Sequence, residues 1–513
     1  MVDTNFYDVV VCGGETSGLV AAALLARRGF RVLVVADEPE QAAFDAGGTS
    51  LSRTPALLPP LDDPQAARVF KELDCVAVVK RRALATTSVR LTVGKQRLDL
   101  GADSAAGEKE LGRAFGATAP MLTAAIERLD ALGRIAEPIL ATAMTLPPAG
   151  FWERRELGRL ESLLPRAGHD PLGPLAADHP FRAMAAAPAA LTTSLGPSDV
   201  GLVTEARAFA LARRGLHVLD GGLAALQELL LQRIETFGGE RRRRLEPLGI
   251  VMRRGRAVGL QVSPRDEKIG CQWLLWAGPS ASLRAVLGPS APPVPARARP
   301  AALRVGGYRY ALSLIVAPPA IPAGTPARLL AIADPARPLI EDNAIAVTVG
   351  RPGPREADRI PLWVECAVPA HLVDAGPSYL RALRGRLLQT LERLWPDLAK
   401  NILLVASPYD GLGAQRGGDG AAAEGKTAQT TSKTFTTVAV VPPPLYARAA
   451  VGPFDVSGLP HATGVKNLLL VGRENLPGLG LEGELVSGWG AARLVGHAPV
   501  RRVSLRRRTL LGS

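Results

Sequence analysis

Cysteine, histidine and aromatic residues are all scarce in this 513-residue chain, and each scarcity excludes a class of protein. The four cysteines are scattered and form no CxxC pair, so neither a zinc site nor a disulfide framework is indicated. The six histidines show no spacing typical of metal ligands. Aromatic residues make up only 4%, which argues against the base-stacking surfaces of proteins that bind nucleic acid.

Long apolar runs are lacking as well. All fall far short of the roughly 20 residues that a membrane-spanning helix needs. The first predicted strand begins about seven residues from Met1, which leaves no room for a signal peptide. The sequence therefore predicts a cytoplasmic protein.

Positive charge is in excess, with a formal net charge of +13. Arginines cluster at 241–244 and in the basic tail 501–513. Because no basic run lies beside aromatic residues, the first interpretation is charge scattered over the surface. The alternative is a peripheral contact between the basic tail and an anionic membrane surface.

Apolar periodicity predicts the main elements of a mixed α/β protein. Helices are expected over 108–140, 151–164, 223–237 and 379–394. Strands are expected at 308–316, 329–332, 344–349 and 362–368. The segment 167–197 is dense in Pro, Gly and Ala and is expected to be irregular. This pattern, on a chain too long for one hydrophobic core, predicts two domains.

A glycine-rich turn follows the first strand, where a dinucleotide fingerprint belongs. In G-x-G-x-x-G, the first glycine makes the turn, the second lets the backbone approach a pyrophosphate, and the third packs helix on strand. Gly13 and Gly18 take the first and third positions, and Glu15 takes the second. Using Gly14 instead gives the wrong spacing to Gly18. A helix N-terminus favours an anion, and Glu15 could supply that anion from the protein itself.

An acidic residue normally ends the second strand and holds a ribose hydroxyl. Ala36 stands at that position, followed by Asp37 and Glu38. Two interpretations stay open: Asp37 substitutes if the strand ends one residue later, or both acids are loop charges.

The most specific stretch is Asn467–Gly488, which combines an apolar strand, a Gly-Pro loop and a helix. It resembles the C-terminal flavin motif of the phytoene desaturase-like and amine oxidase-like oxidoreductases. The doublet Gly47–Gly48 and the helix start at Gly221–Gly222 match the same family. The resemblance implies FAD as cofactor and places six further residues or pairs at its site: Gly14, Gly47 with Gly48, Gly472, Arg473 with Glu474, Gly480 and Leu481.

The resemblance also implies the domain organisation. A Rossmann-like FAD-binding domain with a parallel sheet, of the GR2 flavoprotein type, is expected from 1–107, 215–290 and 455–500. An α+β substrate domain is expected from 108–214 and 300–454, and 501–513 is a basic tail. Substrates in this family are often hydrophobic, and the flavin would remove a hydride. The residues assign no side-chain acid or base.

The departures from the family pattern cluster at positions that face the cofactor. Glu15 replaces a glycine, Ala36 replaces the ribose acid, and Arg473 and Glu474 replace small residues. Pro247 falls where the family pairs a backbone N–H with adenine. Two hypotheses follow. The contacts to FAD are eroded, and the chain is a non-catalytic or atypical subunit that acts by binding a protein partner. Alternatively, FAD binds with Arg473 offsetting Glu15, and the chain is an active oxidoreductase of desaturase, isomerase or amine oxidase type on a hydrophobic small molecule.

Overall fold

A computed structural model describes residues 5–36, 42–141, 144–148, 150–162, 170–288, 303–353, 356–374, 376–416, 440–448 and 454–497. Asp37, the basic tail and most of the Gly/Ala-rich segment 411–425 lie outside these residues.

The helices fall into a set that covers the first sheet and a set that packs on the second. They are α1 (Thr16–Arg27), α2 (Pro64–Glu72), α3 (Val76–Arg82), α4 (Ser104–Phe115), α5 (Ala119–Ala141), α6 (Phe151–Glu161), α7 (Pro180–Thr192), α8 (Leu202–Arg214), α9 (Gly222–Thr236), α10 (Ser280–Leu287), α11 (Ala370–Asp374), α12 (Pro377–Leu394), α13 (Leu398–Asn401) and α14 (Gly480–His497).

The strands form two large sheets and two small ones. They are β1 (Phe6–Cys12), β2 (Val32–Val35), β3 (Ala43–Ala46), β4 (Thr49–Ser52), β5 (Leu57–Leu58), β6 (Ala83–Ala85), β7 (Ser88–Val93), β8 (Gln96–Gly101), β9 (His217–Leu219), β10 (Glu240–Arg242), β11 (Pro247–Arg253), β12 (Arg256–Val262), β13 (Glu267–Trp276), β14 (Leu303–Val316), β15 (Arg328–Ile332), β16 (Ala344–Val349), β17 (Ile360–Pro369), β18 (Ile402–Ala406), β19 (Gln415–Arg416), β20 (Pro444–Arg448) and β21 (Leu468–Leu470).

The first sheet is the predicted Rossmann-like one. Its order is β10-β2-β1-β13-β12-β11, and β21 pairs with β13. Strands β10, β2, β1, β13 and β21 run parallel, whereas β12 and β11 form an antiparallel extension. Helices that include α1 and α9 cover one face of this sheet, and residues of β12 and α10 pack on the other. Because both faces are buried, the central strands are apolar without alternation, as in Val32–Val35. The predicted fold class is confirmed.

The second sheet is mostly antiparallel, in the order β19-β18-β14-β17-β16-β15-β7-β8, with β20 paired to β14. Helix α12 packs on one face of this sheet through leucines spaced at helical intervals from Leu380 to Leu391. Helices α5, α7 and α8 cover the other face at the β7–β15 end. The sheet takes β7 and β8 from the segment 1–107, which the sequence analysis assigned to the first domain.

Two predictions of local structure need correction. The helix expected over 108–140 breaks at Gly116, whose φ of 54° favours glycine, and continues as α5. The segment 167–197, expected to be irregular, contains α7. Three features explain why α7 forms. Alanine, which is frequent here, has the highest helix propensity, and Pro180 occupies the first turn, where proline is tolerated. Phe181 and Met184 are buried, so packing stabilises the helix.

The other predicted elements are confirmed. The strand expected at 308–316 extends back to Leu303, and the helices expected at 223–237 and 379–394 begin at Gly222 and Pro377. All four cysteines are buried and unpaired. Within the described part of the chain, no helix combines the length and the apolarity needed to cross a membrane.

Helix α1 depends on a glycine at its contact with β13. A Cβ added to Gly18 would lie 2.1 Å from the Cβ of Ala277. We predict that Gly18→Ala lowers the free energy of unfolding by about 1–3 kcal/mol, because close-packed cores resist overpacking. Urea denaturation measures this, and Ala277→Gly should recover part of the loss in the double variant.

Gly107 provides the matched control. It also lies inside a helix, α4, but an added Cβ would meet no atom within 4 Å. Gly107→Ala should therefore be neutral or stabilise by up to about 1 kcal/mol through helix propensity. Equal urea midpoints for Gly18→Ala and the wild type would contradict the proposed packing constraint.

Candidate functional site

The front motif forms the turn between β1 and α1. Gly13 has a φ of 104°, and an added Cβ would lie 2.2 Å from the carbonyl oxygen of Ala277. The Gly14 carbonyl accepts a hydrogen bond from Gln227 Nε2 at 3.2 Å. Glu15 is the residue that precedes the first turn of α1, and its side chain makes no capping bond to that helix. The geometry therefore requires glycine at the first and third fingerprint positions, Gly13 and Gly18, because an added Cβ at either would clash with Ala277.

The back motif forms the loop between β21 and α14. Asn475 organises it: its Oδ1 accepts the Gly472 N–H at 2.8 Å and the Ser487 hydroxyl at 2.9 Å, and its Nδ2 donates to the Leu459 carbonyl. Sequence reasoning missed Asn475. An amide three residues after the glycine that ends the strand was the available signal.

Glu15 joins the two motifs. Strands β1 and β21 both run parallel to β13, one on each side, so their carboxyl ends meet at one edge of the sheet. There the Arg473 N–H donates to Glu15 Oε2 at 3.0 Å, and Arg473 Nε lies 3.5 Å from Glu15 Oε1. A Cβ added to Gly472 would lie 2.4 Å from Glu15 Oε2. The carboxylate is thus packed directly on the glycine that ends the back-motif strand.

A second carboxylate lies beside this pair. Glu484, the fifth residue of α14, is buried, and its Oε1 lies 3.9 Å from Arg473 Nη2. Burial raises the pKa of Glu484, while Arg473 and the Thr16 and Ser17 groups at the start of α1 oppose that rise. Burial lowers the pKa of Arg473, but Glu15 and Glu484 outweigh it and the net change is a rise. The Arg473 guanidinium is therefore charged and shared by two acids.

The ribose position carries no acid among the described residues. Ala36 follows β2, and its carbonyl accepts a hydrogen bond from Arg241 Nε at 3.2 Å. Its N–H donates to the Arg242 carbonyl on β10 at 3.3 Å. Asp37, the alternative acid, lies outside the described residues.

Three other predicted site residues lie elsewhere or have structural roles. Gly47 and Gly48 form the exposed turn of the β3–β4 hairpin, where Gly48 N–H donates to Asp45 at 3.2 Å. Glu474 Oε2 accepts the Ser280 N–H at 2.9 Å, at the first residue of α10, where a carboxylate complements the helix dipole. Gly47 and Gly48 therefore have no contact with Glu15 among the described residues, whereas Glu474 lies near it: burial raises the pKa of Glu474, and the charge of Glu15 adds to that rise.

Gly480 and Leu481 begin α14 at the edge of a cavity. Gly480 has a φ of 54°, and an added Cβ would lie 2.4 Å from the Thr192 carbonyl oxygen. Leu481 lines the cavity, which lies between this loop and the second sheet and has a volume of about 170 Å³. Here the second sheet and the loop and helix that follow β21 contribute to one concave site.

A buried arginine next to this cavity was also missed. Arg207 on α8, 1% exposed, donates to Glu482 Oε1 at 2.6 Å and to Asp63 Oδ2 at 3.0 Å. It also reaches Glu137 at 3.1 Å. Burial lowers its pKa, but Glu482 and Asp63 outweigh that effect, so the pKa rises. Two arginines among the buried residues of α8, Arg207 and Arg213, were the available signal.

The comparisons with known proteins identify the class that this fold and site define. A sequence model of the FAD binding domain matches residues 8–270, just over half of the chain. The chain belongs to the FAD binding domain family, and FAD is the cofactor of that family. The comparison with curated proteins gave no significant match.

Solved structures share the fold at low identity. An oxidoreductase from Methanosarcina mazei has a TM-score of 0.58 and 15% identity, over 94% of this chain and 99% of that chain. Cyclohexylamine oxidase from Brevibacterium oxydans IH-35A has a TM-score of 0.53 and 14% identity, over 95% and 98%. A cofactor-binding triple mutant of putrescine oxidase has a TM-score of 0.53 and 13% identity, over 96% and 99%.

The residues present fit FAD in part. Gly13, Gly18 and Gly472 keep the backbone frame that the dinucleotide fingerprint requires. The Glu15 carboxylate does not fit, because it occupies the space against Gly472 and the Arg473 N–H that a pyrophosphate would need. Glu15 is thus the residue at this point of the site that departs from the fingerprint.

The Arg207 cluster supports a stability prediction. Arg207→Leu would leave Asp63 and Glu482 buried without their cation, so the free energy of unfolding should fall by about 3–5 kcal/mol. Chemical denaturation measures the loss, and Arg207→Lys should recover part of it. Arg159→Leu, which removes an exposed partner of Glu156, is the control and should change stability by less than about 1 kcal/mol. A loss equal to that of the control would refute the role assigned to Arg207.

Proposed function

We propose that this chain is a member of the FAD-dependent oxidoreductase superfamily whose contacts to FAD are eroded. It acts in the cytoplasm as a non-catalytic or atypical subunit, through binding or complex assembly. The observation that carries the proposal is the Glu15 carboxylate, which accepts the Arg473 N–H at 3.0 Å between the two cofactor motifs.

Electrostatics support this proposal. The pyrophosphate of FAD needs hydrogen-bond donors and positive potential at the start of α1. Two carboxylates, Glu15 and Glu484, share the one guanidinium of Arg473 there, which leaves an excess negative charge. Bringing a pyrophosphate into contact with an uncompensated carboxylate costs several kcal/mol, and each 1.4 kcal/mol weakens binding about tenfold.

The ribose end supports it independently. Ala36 has no side chain that could accept a ribose hydroxyl, and the Arg241 side chain donates to its carbonyl. The family's usual acid hydrogen-bonds the ribose, and the loss of that contact removes binding energy at a point remote from Glu15. Two separate contacts to the cofactor are thus weakened.

An exposed aromatic pair supports the role in assembly. Phe151 and Trp152, at the start of α6, are 64% and 73% exposed, and their ring centroids lie 5.4 Å apart. Large exposed aromatic residues are typical of contact surfaces between proteins. Arg155 lies over the Trp152 ring, which would suit a partner with negative charge.

The alternative function is that of an active FAD-dependent oxidoreductase on a hydrophobic small molecule. The family match and the largely apolar cavity beside Leu481 favour it. In that case Glu15 would have to leave Gly472 when FAD enters, and Arg473 would then be free to approach the pyrophosphate.

The two functions differ in the affinity for FAD, which the absorption spectrum and calorimetric titration of the purified protein measure. We expect a colourless protein with weak FAD binding. Glu15→Gly should raise the affinity by about tenfold or more, because the site regains space and loses a negative charge. Glu15→Gln keeps the volume and removes only the charge, so it should give a smaller gain.

The control is Glu356→Gln, which removes an exposed carboxylate paired with Arg359 and should leave FAD affinity unchanged. Purification of the wild-type protein as a yellow, stoichiometric flavoprotein would overturn the proposal in favour of the active enzyme. An unchanged affinity in Glu15→Gly would show that Glu15 is not the obstacle.

A further inference from the structure

The cavity between the second sheet and the start of α14 has a charged floor and apolar walls. Its volume is about 170 Å³. Apolar residues such as Leu57, Leu191 and Leu330 line it. Its charged lining from the second sheet consists of Arg309 on β14, Arg328 on β15 and Glu365 on β17. An apolar cavity with a few converging polar groups is the usual form of a small-molecule site.

Arg328 has two buried donors without a partner, whereas Arg473, which also lines the cavity, has one, its Nε. It is 2% exposed, its Nη1 donates to the Thr348 hydroxyl, and Nη1 lies 3.9 Å from Glu365 Oε2. Its Nε and Nη2 have no hydrogen-bond partner in the described part of the chain. Buried guanidinium N–H groups normally have partners, because an unmade bond costs free energy.

The other cavity arginines are already engaged. Arg309 donates to the carbonyls of Ala190 and Thr193 at 3.1 and 2.7 Å. Arg207 is held by Asp63 and Glu482, and Arg473 by Glu15 and Glu484. Arg309 and Arg328 are therefore balanced only by Glu365, which leaves one excess positive charge at the floor of the cavity.

Burial lowers the pKa of Arg328 to about 10, although Glu365 opposes the change. The guanidinium is therefore charged at neutral pH. Its Nε and Nη2 lie on one edge of the planar group, and that edge makes two parallel hydrogen bonds to a carboxylate.

We propose that this cavity binds a small organic carboxylate with an apolar body, whose carboxylate is held by Nε and Nη2 of Arg328. The apolar body would lie against the leucine-lined walls. The site does not require FAD, so it can be occupied whether or not the proposed loss of FAD contacts is correct.

Isothermal titration calorimetry of the full-length protein without added FAD tests the proposal. The probes are acetate, benzoate and phenylacetate, with benzamide as the neutral isostere of benzoate. We expect saturable binding of benzoate or phenylacetate, and binding of benzamide weaker by about tenfold or more, because charge-assisted bonds to a carboxylate are lost.

Variants of the two facing residues should act in opposite directions. Arg328→Gln should weaken benzoate binding by about tenfold or more, and Arg328→Lys should weaken it less. Glu365→Gln should strengthen it by about threefold or more, because it removes a competing carboxylate near Arg328. Loss of folding cannot produce a gain in affinity, so Glu365→Gln tests the site even if Arg328→Gln is unstable. Arg351→Gln, which removes a partly exposed partner of Asp220, is the control and should have no effect.

Three outcomes would overturn the proposal. They are the absence of saturable binding for all three acids, equal affinities for benzoate and benzamide, and an unchanged or reduced benzoate affinity in Glu365→Gln. Weak FAD binding by the wild-type protein affects only the proposed function. The two proposals can therefore fail separately.

Discussion

The contact between the Glu15 carboxylate and the Arg473 N–H is the interaction on which the arrangement of the two cofactor motifs depends. It connects the front and back cofactor motifs, which lie 458 positions apart in the chain. It forms because β1 and β21 flank β13 in parallel and end at the same edge of the sheet. At this edge, helix N-termini and loop N–H groups favour a negative group, and here the chain supplies a negative group of its own.

Around this contact, the protein buries several charges at the junction of its two large sheets. Arg207 is bound by Asp63, which directly precedes α2, and by an acid of α14; Arg473 is bound by acids from the front turn and α14. Buried ions are costly unless they are paired, so each of these clusters restricts how the connecting elements can move relative to one another. The N-terminal part of α14 contributes an acid to both clusters, Glu482 to one and Glu484 to the other.

The two sides of the cavity consequently differ in charge. On the α14 side, acids outnumber the arginines that they bind, whereas on the second-sheet side Arg309 and Arg328 face only Glu365. A ligand that enters here meets a polarised site with apolar walls. The proposed carboxylate site lies on the positive side of the cavity. The residues that are proposed to weaken FAD binding lie on the negative side, although both sides are near the same loop.

Much of the fold and part of the site followed from local patterns. The fingerprint spacing predicted the turn at Gly13–Gly18, and the strand-loop-helix order of Asn467–Gly488 predicted the second half of the frame. Strand positions in the second sheet also followed, because buried strands are apolar over short lengths. The proline-rich region that contains α7 was misread, since burial of Phe181 and Met184 outweighs the local breaker signals.

The sequence by itself determined that a carboxylate stands at the second fingerprint position and that no acid stands at Ala36. Only the tertiary structure decided that Glu15 contacts Gly472 and Arg473, that Gly47 and Gly48 form an exposed hairpin turn, and that Arg328 is buried with unused donors. The reason is physical. Local patterns report the preferences of neighbouring residues, whereas these contacts join residues far apart in the chain, and sheet order and packing alone bring such residues together.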